Sequence, residues 1–64
     1  MMYSEFLEKS QPYIDKYLGF TCPLSRYVSY EIYKDIVEPM YLASDAFDAS
    51  DFCKRYACKV YNMV

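Results

Sequence analysis

Apolar and polar positions along this chain recur mostly with the period of a helix. From Ser4 to Leu18, the residues Phe6, Leu7, Ser10, Tyr13, Ile14, Tyr17 and Leu18 fall on one helical face. Ser4 stands where a cap is needed, and Glu5 and Glu8 suit the positive end of the helix dipole. Pro12 interrupts the run off the apolar stripe. It predicts either a kinked helix or two short turns, the second opening at Pro12. Gly19 is the natural stop, because a left-handed residue commonly ends a helix.

After a linker at Phe20–Cys22, Pro23 opens a second predicted helix that runs to Val37 and ends before Pro39. Its stripe is Leu24, Val28, Ile32 and Ile36, widened by Tyr33 and Val37. A strand competes here, since Val28, Tyr30 and Ile32 alternate with Ser29, Glu31 and Tyr33. The alternation fails at Asp35-Ile36-Val37 and no partner strand is visible, so the helix is preferred. A short third helix is predicted from Pro39 to Phe47, with Met40, Ala43 and Phe47 on one face. The last has the clearest start. Asp48 caps it, Asp51 sits three positions on, and Phe47 is placed to pack on Phe52 as a hydrophobic staple. Phe52, Cys53, Tyr56, Ala57, Val60, Tyr61 and Val64 make its stripe. The expected fold is all-α: one small domain over residues 1–64, of three to four short helices around a single core.

Length limits what such a chain can do. At 64 residues there is no room for a two-lobed enzyme or a nucleotide-binding α/β fold. A domain of this size hides only about 60% of the surface its unfolded chain exposes. It nevertheless carries nine Tyr and four Phe. Some of these rings are therefore expected at the surface, where Tyr suits an interface because its ring is apolar and its hydroxyl tolerates water. No stretch is apolar enough to read as a membrane span, and the N-terminus lacks the basic-then-apolar pattern of a secretory signal.

The net charge of −2 does not favour nucleic acid, whose binders are usually basic. Its distribution is more informative than its sum. Between Glu31 and Asp51 there are six acids against the single Lys34, and Lys54, Arg55 and Lys59 follow without an acid. Such asymmetry orients an encounter with a charged partner. Asp45, Asp48 and Asp51 recur every third residue, but Phe47 and Ala49 occupy positions where a calcium loop needs oxygen ligands. They read as helix capping plus a solvated face, or as a steering patch. Tyr27, Tyr30 and Tyr33 are spaced by three and would drift slowly around one side of a helix. With Glu31, Asp35 and Glu38 as neighbours, they suit protein contact better than stacking on bases.

Catalytic groups are scarce. There is no His to act near neutral pH and no Gly-rich phosphate loop. Cys22, Cys53 and Cys58 are an odd set at loose spacing. Cys53 and Cys58 are five positions apart and point in different directions on a helix, while Cys22 can pair with either. The simplest reading is three small buried hydrophobes in a reducing intracellular compartment, with no cofactor and no metal.

These features predict a non-enzymatic protein that docks on a larger protein or multi-protein assembly, as an accessory subunit or as a regulator or inhibitor. Tyr27, Tyr30 and Tyr33 are the expected contacts, and Asp45, Asp48 and Asp51 the steering patch. Two alternatives stand beside it. One is a thiol-dependent redox or metal-binding protein using the three cysteines. The other is a structural homodimer with Tyr56, Tyr61, Met63 and Val64 at its seam.

Overall fold

A computed structural model describes all 64 residues. The chain is 75% helical with three helices and no strand, which excludes the strand reading of residues 28–33. Helix α1 is Tyr3–Leu18. A single 3₁₀ turn, Leu24–Arg26, follows. Helix α2 spans residues 30–43 in three consecutive parts: α-helical Tyr30–Ile32, a π-helical turn Tyr33–Val37, and α-helical Glu38–Ala43. Helix α3 is Ala49–Met63.

Helix α1 runs unbroken through Pro12. The proline removes the N–H that would bond the Glu8 carbonyl. Both residues lie on the exposed side, where water can satisfy that carbonyl. Ser4 does not cap the helix; it begins one residue earlier, with Met2 at the cap and no side-chain bond there. Gly19 ends it as expected, with φ of 79° and its N–H donating to the Asp15 carbonyl.

The middle of the chain departs from the pattern. Pro23 starts only the 3₁₀ turn, and the helix proper opens at Ser29, whose side chain accepts from the Ile32 N–H. Nor does Pro39 stop it. The Glu38 N–H bonds back five residues to the Tyr33 carbonyl, the wider π turn, just ahead of the proline that has no N–H to give. The helix is thus carried past Pro39 to Ala43. Restarting at Tyr30 also shifts the phase of burial. Tyr33 and Val37 enter the core, and Ile32 and Ile36 are only partly buried.

Helices α1 and α3 pack side by side in parallel. The Cys53 thiol lies 4.0 Å from the Phe6 carbonyl, the Cys58 thiol 3.9 Å from the Tyr13 carbonyl, and the Asn62 amide 3.4 Å from the Tyr17 hydroxyl. Small residues at the seam, Ser10 and Ala57, are both fully buried and let the backbones approach. Helix α2 crosses the end that holds the N-termini of α1 and α3. Tyr30 contacts Tyr3, Tyr33 contacts Phe6, and Tyr41 contacts Phe52, at ring-centroid distances of 5.6, 5.9 and 5.1 Å. One cluster of ten buried residues, led by Phe6, Ile14, Leu24, Tyr33 and Phe52, joins all three helices and the 3₁₀ turn. No helix is long and apolar enough to cross a membrane.

Candidate functional site

The three tyrosines expected to share a face are separated by the break at Val28-Ser29. Tyr33 is buried in the core, and its hydroxyl donates to the Met1 carbonyl. Burial pushes its phenol above the usual range. It is therefore a packing residue, not a free contact. Tyr27 goes to the far end of the molecule, where its ring meets Tyr61 at 5.4 Å and Tyr61 meets Tyr17 at 6.4 Å. The adjacent Cys22 thiol raises its phenol as well. These rings, with Phe20, form an aromatic end on which Tyr17, Phe20 and Tyr27 are all still exposed. Tyr30 alone remains on the outer side of α2, 58% exposed.

The acidic trio builds the turn between α2 and α3. Asp48 Oδ1 accepts from the Asp51 N–H at 2.8 Å, and Asp51 Oδ2 accepts from the Phe47 N–H at 2.9 Å. Arg55 then ties the turn to α3, reaching Asp45 at 2.9 Å and Asp51 at 3.3 Å. The Phe47 N–H, and secondarily Arg55, hold the Asp51 carboxyl below the usual carboxylate range. Capping at Asp48 is therefore as expected, and two of the three acids are partly neutralised.

The staple does not form. Phe47 is 93% exposed. Phe52, its expected partner, is already covered by Tyr41 and Tyr56, at 5.1 and 4.9 Å. Leu42, in the last turn of α2, is 79% exposed. The sequence pattern places Phe47 inward, on a helical face and as a staple, and assigns Leu42 no role, because it reads a large apolar residue as core.

Tyr30, Leu42 and Phe47 are the large apolar residues left exposed on α2 and the turn after it. Helix α2 presents Tyr30 at its start and Leu42 near its end, with Phe47 beyond. Between them lie Glu31 and Asp35, both exposed and neither paired with a cation. Lys34 is held by Glu38 at 3.0 Å, and this pair raises the lysine above its usual value. At the Tyr30 end the face opens into a cleft of about 360 Å³, lined by Met1, Met2, Tyr3, Tyr30, Lys34 and Glu38 among others. Its walls are mainly apolar, and the ion pair sits at its rim.

The cysteines are not brought together. All three are free; Cys22 and Cys53 are buried and Cys58 partly so. Burial raises the Cys53 thiol, against a smaller opposing effect of the Ser10 hydroxyl beside it. No three Cys, Asp or Glu side chains converge closely enough to hold a metal ion. The expected homodimer seam is divided, with Tyr56 packed against the core while Met63 and Val64 are exposed. No protein-family model, no curated protein and no solved structure matches the chain, so the functional reading rests on this surface.

Proposed function

We propose that this protein works by docking on a larger protein through the outer face of α2 and the turn that follows it. The observation that carries the reading is the position of Phe47. Burying a Phe side chain is worth about 1.5–3 kcal/mol. Here the turn directs the ring into water, and the backbone N–H of Phe47 itself is bonded to Asp51. A built turn that exposes a ring at that cost presents it to something. Leu42 and Tyr30 are exposed on the helix that precedes the turn, and we take the three as anchor points spread along one docking surface. Tyr30, Leu42 and Phe47 are then the contacts. Asp45 and Asp48 keep the steering role first assigned to them, and Asp51 mainly shapes the turn. An accessory subunit and a regulator would use the same surface.

The test is quantitative affinity capture from the native source with the chain tagged at its C-terminus, which leaves the Met1–Met2 cleft free. Leu42→Ser/Phe47→Ser is compared with the original and with Phe20→Ser/Tyr27→Ala at the other end. A single near-stoichiometric protein, lost only with Leu42→Ser/Phe47→Ser, is expected. The same set of proteins from all three baits would refute the reading.

A further inference from the structure

We infer that the partner of the α2 face is a basic protein segment with an apolar side chain toward each end, an inference that rests on the docking reading above. Charge selects the occupant. Residues 31–51 hold six carboxylates and one lysine, and that lysine is already bound by Glu38. Glu31 and Asp35 stand four residues apart on the exposed side of α2, where like charges repel. Neither has a cation within reach, although Lys9, Lys34 and Arg55 all find carboxylates elsewhere on the molecule. A lysine or arginine brought by a partner relieves that repulsion. An acidic or anionic partner, whether protein, nucleic acid or lipid surface, meets it undiminished.

Spacing gives the rest of the description. Tyr30 and Leu42 are twelve residues apart, about 18 Å at the rise of a helix. The cleft beside Tyr30 receives one apolar side chain, and the methionines in its wall are adaptable packing partners. Leu42 and Phe47 meet a second at the opposite end. Cations between the two anchors lie over Glu31 and Asp35. Both carboxylates are exposed, so they act chiefly on the rate of encounter and are screened by salt.

The probe is a synthetic helix-forming peptide of roughly 15 residues, long enough to span the 18 Å, with lysines at its centre and a leucine near each end. Its counterpart carries glutamate in place of every lysine. Each is titrated into isotope-labelled protein and followed by amide NMR. The basic peptide is expected to move resonances of Tyr30, Glu31, Asp35, Leu42 and Phe47, and to bind at least fivefold more weakly at ~0.5 M than at ~0.05 M salt. Glu31→Lys/Asp35→Lys should abolish the shifts, and Lys16→Glu/Lys59→Glu should leave them in place. The inference is overturned if the acidic peptide binds equally well, if the shifts lie elsewhere, if they survive Glu31→Lys/Asp35→Lys, or if none occurs. Should the basic peptide fail while a captured partner still depends on Leu42 and Phe47, the charge assignment falls and docking stands. Should capture show no such dependence, the docking reading itself falls.

Discussion

Gln11→Ala should destabilise this protein more than alanine at any Ser, Thr or Asn. Gln11 lies on α1 and holds the linker through both ends of its amide. Its Nε2 donates to the Cys22 carbonyl at 2.7 Å and to Asp15 Oδ1 at 2.8 Å. Its Oε1 accepts the Leu24 N–H at 2.9 Å. Removing the side chain strands the N–H of a fully buried leucine and the carbonyl of a buried cysteine. An unsatisfied buried group costs about 1–3 kcal/mol, less where water can reach it. The linker is partly exposed, so the low end applies to each, giving a loss of about 2 kcal/mol. That is a large share of the roughly 3–5 kcal/mol a core of this size supplies. In a domain this short it lowers Tm by about 8–16 °C. Thermal and urea melts followed by circular dichroism measure it. Gln11→Glu sharpens the test. It keeps an acceptor for Leu24 but sets a carboxylate against Asp15 and the Cys22 carbonyl, so it should be at least as damaging at pH 7. It should recover in part toward pH 5, as the introduced carboxyl gains a proton it can donate. A Gln11→Ala protein within 0.5 kcal/mol of the original, a threshold set by ordinary surface changes, would refute the reasoning.

Three other outcomes follow from the packing. Ser10→Ala should be neutral or stabilising by up to about 1 kcal/mol in urea melts, because the Ser10 hydroxyl is fully buried with only the Cys53 thiol, a weak partner, beside it; a clear loss would mean the hydroxyl is well satisfied. Asp51→Asn should lower the urea midpoint at neutral pH but not near pH 2. Folding depresses this pKa, so the carboxylate adds stability above its unfolded value, about 3.9, and the contribution is lost as pH falls through the lower folded value. In timed alkylation read by mass spectrometry, Cys58 should react first and Cys53 only on unfolding, since Cys53 is fully buried and its thiol is pushed up by that burial; early labelling at Cys53 would show that the α1–α3 seam opens readily.

Helices α1 and α3 were legible because local and tertiary signals agree in them. Their stripes, the Gly19 stop and the Asp48 cap all point to the same ends. Helix α2 was not, because its two prolines outweighed a weaker and correct signal, Ser29 three residues before Ile32. Nothing in the pattern announces that a π turn will carry a helix past Pro39. The burial of Tyr33 was hidden for a similar reason. A tyrosine can be core when its hydroxyl finds a partner, and the partner here, the Met1 carbonyl, is 32 residues away in sequence. Of the candidate site, the acids and Tyr30 could be read from the chain. Leu42 and Phe47 could not, because hydrophobicity predicts burial and is silent about a core already closed by Tyr41 and Tyr56.

The acidity of the end that α2 crosses has a simple origin. Each long helix places acids near its start, where they favour its dipole: Glu5 and Glu8 on α1, Asp48 and Asp51 on α3. Had α1 and α3 been antiparallel, these local preferences would sit at opposite ends and cancel. They are parallel, because the chain returns through the linker and then crosses between the two N-termini as α2. The crossing helix adds Glu31, Asp35 and Glu38 to the same end, and the turn adds Asp45. Every acid but Asp15 is thereby gathered toward one end, together with Lys9, Lys34, Lys54 and Arg55, while Lys16, Arg26 and Lys59 are left toward the other without an ion-pair partner. Helix α1 is about 24 Å long at the helical rise, more than two screening lengths in physiological salt. Each end therefore presents its own field, and a protein with a net charge of only −2 carries eight of its nine acids against four of its seven cations at the end that α2 crosses. The polarity expected of a steered docking protein is then a consequence of topology acting on ordinary helix capping, and it does not depend on an unusual composition.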